Sequence, residues 1–242
     1  RKPTGLANEK VLEIKLDLQE KIVAAAAISR EKLRPFSQTE NPRRSGLYVQ
    51  RERKNVDALV LGLSTGGPQA LRYLLSQWPA SFPIPIAAVL HMPAGYTGPF
   101  ARRLDESYEL EVLEAREGLE MRPGRLILAQ AGRHLKLRTH EGKVVSRLDS
   151  SPATGSHKPS VDVLFQSAAE VYGSRVVGAI FTGMGDDGTA GSAWIKANGG
   201  RILAEAKSSC IVYGMPRAVA EAGLVDEVRA LPEMPQALLD CL

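Results

Sequence analysis

Cysteine is scarce in this sequence, with only Cys210 and Cys241 among 242 residues. Two cysteines in a chain of this length do not make the disulfide framework of a secreted domain, which favours a cytoplasmic protein. No apolar run approaches the roughly 18 residues that a membrane-spanning helix needs. The first ten residues, RKPTGLANEK, also lack the apolar segment of a signal peptide. We therefore predict a cytoplasmic protein without membrane insertion.

Aromatic residues are also few, at 5%, which bears on how the net charge of +4 is interpreted. Residues 30–54 contain eight Lys or Arg against three Glu, an excess of five that leaves the remaining chain near −1. A basic stripe without interleaved aromatic residues or a nucleic-acid motif is typical of a solvated linker. Nucleic acid is therefore not an expected partner.

The composition and the pattern of apolar residues change near residue 55. Residues 9–27 carry apolar side chains at helical spacing and predict one amphipathic helix. Residues 35–54 are rich in Pro, Ser, Asn and Arg without apolar periodicity, which is typical of a tether. We predict an N-terminal helix with a charged linker over 1–54 and a catalytic domain over 55–242.

The C-terminal part alternates between short apolar runs and helical patterns. The runs predict strands at 57–62, 84–90, 125–128, 176–181 and 201–204, and the helical patterns fall at 68–78, 160–172, 189–198 and 215–222. This alternation predicts an α/β fold, doubly wound, with a mostly parallel sheet flanked by helices on both faces. Functional residues are then expected at the carboxyl edge of the sheet.

Ser64 follows the first predicted strand in the stretch VLGLSTGGPQAL. The pattern Gly62-x-Ser64-x-Gly66 has the spacing of a nucleophile elbow, a sharp turn that lifts a serine oxygen above the sheet. Pro68 then starts a helix whose first amides can serve an oxyanion. A turn without activity and a phosphate cradle remain alternatives, although no lysine follows as in a Walker A loop.

A nucleophilic serine needs a base and an acid, and both occur at other predicted strand ends. His91 ends the apolar run IPIAAVLH, and Asp186 and Asp187 follow VVGAIF in a glycine-rich loop. Three strand ends therefore offer the groups that acyl transfer requires. Two adjacent acids can alternatively bind a metal or cap the next helix, so the residues alone leave these interpretations open.

Five blocks, in this order and with these gaps, resemble the catalytic domain of the chemotaxis-type protein-glutamate methylesterases, the CheB family. They are GLSTGG, HMPAGYTGPFARRL, HKPSVDVLF, FTGMGDDGTAG and SCIVYGMPRAVAEAG. The resemblance implies Ser64 as nucleophile, His91 as base and Asp187 as orienting acid. It further implies Met184 as an oxyanion-hole amide, with Thr65 and His157 lining the site. Neither a cofactor nor a metal is expected.

The resemblance also implies a substrate and a regulatory domain. Family members remove methyl esters from glutamates of chemoreceptor helices, releasing methanol, and deamidate particular glutamines. They carry a receiver domain before the esterase, and receivers end with a Lys-Pro pair and a helix. Lys2-Pro3 and the helix at 9–27 fit such a remnant, so we expect the receiver to be absent or truncated here. A catalytically silent receptor-binding domain is the alternative.

Overall fold

The computed structural model describes residues 22, 23, 26, 55–151 and 157–242. The chain divides into two units, residues 1–35 and 36–242. In the first unit, Ile22, Val23 and Ala26 are helical and exposed. The rest of the predicted helix at 9–27 and the predicted tether at 35–54 lie outside the described residues. The predicted domain boundary at residue 55 therefore stays a prediction.

The second unit contains nine strands and six α-helices within the described residues. The strands are β1 (Ala58–Leu63), β2 (Ile86–Leu90), β3 (Glu111–Glu114), β4 (Arg125–Leu128), β5 (His134–His140), β6 (Lys143–Asp149), β7 (Val176–Ile180), β8 (Arg201–Glu205) and β9 (Glu227–Arg229). The helices are α1 (Gly67–Gln77), α2 (Thr97–Ser107), α3 (Val161–Tyr172), α4 (Thr189–Ala197), α5 (Met215–Glu221) and α6 (Met234–Leu239). Among these described ranges, none of the helices combines the length and the apolar character that a membrane span requires.

Seven of the strands form one parallel sheet in the order β3-β4-β2-β1-β7-β8-β9. From β1 the chain moves outward to β2, and later it returns to add β7 on the other side of β1. The direction of winding thus reverses between β1 and β7, and this reversal defines a doubly wound sheet, as predicted. Such a reversal opens a crevice above the carboxyl ends of the two strands.

The core has two layers because alternate residues of a strand face opposite sides of the sheet. In β1, Leu59, Leu61 and Leu63 join the cluster that packs under α1, α2 and α6. Ala58 and Val60 face the other cluster, which includes α3, α4, α5 and the antiparallel hairpin β5-β6. All six residues of β1 are buried, which explains why this segment is almost continuously apolar.

Candidate active site

Ser64 lies directly after β1, at the reversal point of the sheet. Its backbone N–H donates to the carbonyl of Thr182, which follows β7 on the neighbouring side. Three residues later α1 begins at Gly67, with Gly66 in the left-handed conformation at φ 85° and Pro68 in the first turn. The strand, the turn and the helix therefore place Ser64 at the carboxyl edge, where it is partly exposed.

His91 occupies the equivalent place after β2. In the parallel register, Leu63 of β1 lies beside Leu90 of β2. The His91 N–H extends this ladder by donating to the Leu63 carbonyl at 3.0 Å. Neighbouring strands are about 4.8 Å apart, so Ser64 and His91 follow on adjacent strands at the same edge.

Asp187, not Asp186, contacts His91. Asp187 is 8% exposed, and its Oδ2 lies 2.8 Å from His91 Nε2. Asp186 is exposed, and its backbone carbonyl accepts the Thr189 N–H. The two acids differ because successive residues of the loop after β7 point in different directions, and only the second points toward β2.

The Asp187 carboxylate accepts three further hydrogen bonds from the start of α3. Its Oδ1 accepts from the Ser160 hydroxyl at 2.8 Å and from the Asp162 N–H at 3.0 Å. Its Oδ2 accepts the Val161 N–H at 2.8 Å. Asp187 therefore caps α3, whereas the sequence suggested a cap for the helix that follows it, α4.

These hydrogen-bond donors favour the ionised form of Asp187. Burial by itself raises the pKa of the carboxyl group, but the hydrogen bonds from His91 and from the Asp162 and Val161 N–H groups outweigh burial and lower the pKa to about 2. An unfolded aspartate titrates at about 3.9, so the ionised carboxylate contributes stability above about pH 4. This contribution is lost as the pH falls through about 2.

The ionised Asp187 also fixes the tautomer of His91. A carboxylate only accepts hydrogen bonds, so Nε2 carries the proton and Nδ1 of the neutral ring has a free lone pair. Nδ1 is buried and has no hydrogen-bond partner among the described residues. In the serine-protease triad the roles of the two nitrogens are the reverse, with the aspartate on Nδ1.

Gly183 brings the loop after β7 against Ser64. A Cβ atom at this glycine would lie 2.7 Å from the Cβ of Ser64, a separation that only glycine permits. The next residue, Met184, is partly buried, and its N–H makes no hydrogen bond within the described part of the chain. Thr65 is exposed beside Ser64, and its carbonyl accepts the Thr182 hydroxyl at 2.9 Å. Thr65 thus lies next to Ser64, and Met184 follows the glycine that packs against it.

His157 stacks on His91. The ring centroids are 4.2 Å apart and the planes differ by 7°. Donor atoms of His91, His157 and Asp187 lie within 4.8 Å of one another, close enough to be considered as metal ligands. Imidazole lone pairs lie in the ring plane, however, so two parallel stacked rings do not direct their nitrogens at one ion. The arrangement fits a stacked pair better than a metal centre.

Sequence reasoning missed two residues of this site, Ser160 and Asp162. Ser160 is the N-cap residue of α3, yet its hydroxyl donates to Asp187 and does not cap its own helix. Its N–H donates to Nδ1 of the buried His134, whose pKa is lowered by burial and by the charge of Lys158. A serine followed two residues later by an aspartate at a helix start was the available signal.

The left-handed turn after Ser64 yields a stability prediction. We expect Gly66→Ala to destabilise the fold for two reasons. An alanine at this positive φ adds backbone strain of about 1 kcal/mol, and the close contacts of its Cβ atom add about 1–3 kcal/mol more. An added Cβ would lie 2.7 Å from the Cβ of Ile211, which cannot swing away as a side-chain tip can. Urea unfolding of the purified variants measures the loss.

Gly95→Ala is the matched control for this prediction. Gly95 has nearly the same φ, 87° against 85°, but a Cβ there would meet no heavy atom within 4 Å. Only the strain of about 1 kcal/mol should therefore appear. Equal losses in the two variants would contradict a role for close packing at Gly66.

The fold and the site together define a class of protein. A doubly wound α/β domain carries a serine, a histidine and an aspartate at neighbouring strand ends, the set of side chains that serine hydrolases of unrelated folds share. The chain belongs to the CheB methylesterase family, whose model matches residues 59–238.

Individual relatives agree with this assignment. The chain is 50% identical over 234 residues to protein-glutamate methylesterase/protein-glutamine glutaminase 5 of Myxococcus xanthus, covering 96% of this chain and 66% of that protein. It is 41% identical over 186 residues to protein-glutamate methylesterase/protein-glutamine glutaminase 1 of Oleidesulfovibrio alaskensis, covering 77% of this chain and 50% of the relative.

A solved structure agrees with the fold. The crystal structure of the Thermotoga maritima CheB methylesterase catalytic domain matches with a TM-score of 0.75 and 41% identity. The match covers 78% of this chain and 100% of that one. The chain thus spans a complete catalytic domain of a relative, but only about half to two thirds of the length of the two curated relatives.

Proposed function

We propose that this chain hydrolyses γ-glutamyl methyl esters in proteins and releases methanol. Ser64 is the nucleophile, His91 the general base and Asp187 the orienting acid. The observation that carries the proposal is the 2.8 Å hydrogen bond between Asp187 and His91 at the strand ends that flank Ser64. The names of the two relatives, protein-glutamate methylesterase/protein-glutamine glutaminase, support the reaction.

The chemistry follows from the tautomer of His91. Nδ1 takes the Ser64 proton as the serine oxygen attacks the ester carbonyl, and Asp187 stabilises the imidazolium that forms. The tetrahedral oxyanion accepts the N–H of Met184, which has no other partner among the described residues. His91 returns its proton to the leaving methanol, and the acyl-enzyme remains. Water then attacks the acyl-enzyme with the same base and releases the glutamate.

The proposed substrates are methylated glutamates on cytoplasmic chemoreceptor helices, with Thr65 and His157 lining the site that receives the side chain. The chemotaxis-type resemblance supports this choice. The same steps deamidate a glutamine when the proton is delivered to a leaving ammonia, and the relatives' names include this second activity. No step requires a cofactor.

Methanol release tests the proposal directly. Receptor-containing membranes, methylated beforehand, are incubated with the purified chain, and methanol is measured against membranes alone. We expect methanol in proportion to enzyme and time. A folded protein that releases none from methylated membranes would show that the proposed activity is wrong.

One observation favours the alternative, a catalytically silent receptor-binding domain. His91 Nδ1 has no partner among the described residues, so no hydrogen bond joins it to the Ser64 hydroxyl. Catalytic hydrogen bonds are often long in unliganded sites and shorten when substrate binds, so this geometry is also compatible with catalysis. A fluorophosphonate probe separates the two functions, because only an activated Ser64 reacts with it.

A further inference from the structure

The carboxylate of Asp162 holds the loop that carries Asp187. Asp162 lies in the first turn of α3, and its Oδ1 accepts the N–H of Gly188 at 2.9 Å and the N–H of Gly191 at 2.6 Å. Gly188 is the N-cap residue of α4 and directly follows Asp187 in the chain. Asp162 therefore binds the backbone one residue away from the proposed triad acid.

Asp187 in turn caps the start of α3. Its carboxylate accepts the N–H groups of Val161 and Asp162, the first two residues of that helix. Neither helix has a side-chain cap from its own N-cap residue, Ser160 for α3 and Gly188 for α4. Each helix start is thus capped by an aspartate of the other segment, and both carboxylates lie near positive ends of helix dipoles.

Burying these two carboxylates side by side costs free energy, and the two helices that they cap pack closely. Burial raises the pKa of Asp162, the Gly191 N–H lowers it, and the nearby charge of Asp187 raises it further. The helices also approach at backbone distance, since a Cβ on Gly191 would lie 2.8 Å from the Cα of Asp162. Two carboxylates so close persist because backbone donors satisfy both of them.

We propose that Asp162 is a positioning residue that keeps the Asp187 carboxylate aligned on His91. The inference rests on the proposed role of Asp187 in the triad. Without the Asp162 oxygen, the N–H groups of Gly188 and Gly191 lose their acceptor, and the segment that begins at Asp187 shifts. The 2.8 Å hydrogen bond to His91 Nε2 then lengthens or bends, so the imidazole is less well oriented as Ser64 attacks.

The test compares Asp162→Ala and Asp162→Asn by the rate at which a fluorophosphonate labels Ser64. We expect the alanine variant to lose about 10- to 100-fold in maximal labelling rate, the range that small misplacements of catalytic groups produce. The probe concentration at half-maximal rate should change less than about threefold, since Asp162 does not touch the probe. The asparagine variant keeps the Oδ1 acceptor and should stay within about threefold of the parent.

Asp226→Ala is the matched control. Its Oδ2 accepts the N–H of Ile202 at 2.8 Å near the amino end of β8, at the opposite edge of the sheet. The Asp226→Ala variant loses a carboxylate that binds backbone, as Asp162→Ala does. Its Ser64 should nevertheless be labelled at a rate within about twofold of the parent. If Asp162→Ala does not fold, Asp162→Ser replaces it, because serine suits a helix start while its shorter side chain falls short of both N–H groups.

Three outcomes would overturn the inference. They are equal labelling rates in Asp162→Ala and Asp226→Ala, a loss confined to the half-saturating concentration, and an asparagine variant as slow as alanine. Asp187→Asn, measured alongside, separates this failure from failure of the triad. If Asp187→Asn labels slowly while Asp162→Ala labels normally, only the positioning role is wrong. If Asp187→Asn labels at the parent rate, the proposed triad itself is wrong.

Discussion

Ser64→Ala is expected to abolish methanol release, with a loss of at least about 10⁴-fold in kcat, because the proposed reaction passes through an acyl group on the Ser64 oxygen. The fold should be unaffected. The Ser64 hydroxyl makes no hydrogen bond among the described residues, and alanine keeps the Cβ that packs beside Gly183. Turnover on methylated receptor membranes, together with the melting temperature, checks both expectations.

Ser76→Ala provides the control for this loss. Ser76 lies in α1, exposed, and its hydroxyl donates to the carbonyl of Tyr73 at 2.7 Å. The variant makes the same chemical change on the helix that follows the elbow and should retain activity within about twofold. Substantial turnover by Ser64→Ala would mean that another nucleophile, or water activated directly, carries the reaction.

Asp187→Asn should lower kcat by about 10² to 10⁴, the second largest effect that we expect. An amide NH2 placed toward His91 donates to Nε2, which forces the ring proton onto Nδ1 and removes the base that Ser64 needs. Turned the other way, the amide sets its NH2 against the Ser160 hydroxyl and the Asp162 N–H. Both orientations leave a donor facing a donor. Methanol release at saturating substrate measures the loss.

The structure adds a stability cost that the sequence did not suggest. Four donors reach the Asp187 carboxylate, and an amide oxygen can accept from only one side of the group. An unsatisfied buried donor costs about 1–3 kcal/mol, which corresponds to a fall in melting temperature of roughly 2–12 °C. The difference from the parent should shrink as the pH falls from about 4 toward 2, where Asp187 itself becomes protonated.

Asp186→Asn is the control that the sequence itself supplies. Asp186 is exposed, and the structure uses its backbone carbonyl, which the substitution leaves in place. This variant should keep most of its activity and its melting temperature. An equal loss of kcat in the two variants, or a larger loss at Asp186, would overturn the assignment of Asp187 as the triad acid.

The sequence by itself determined the elements that carry the proposed triad. Buried parallel strands are almost continuously apolar, so β1, β2 and β7 were predictable to within two residues at either end. Their carboxyl ends share one edge, which is why Ser64, His91 and an aspartate after β7 were expected together. Within the parallel sheet, the strand β3, with sequence EVLE, and the three-residue β9 were missed, because their strand conformation depends on pairing with β4 and β8.

Only the tertiary structure decided how these residues are connected. Which nitrogen of His91 meets Asp187 depends on the side from which the loop after β7 approaches the ring. The exchange of caps between Asp162 and Asp187 joins residues 25 apart in sequence, through the packing of α3 against α4. Local patterns cannot encode such an exchange. A carboxylate at a helix start normally serves its own helix, and it serves another only where packing brings the two backbones together.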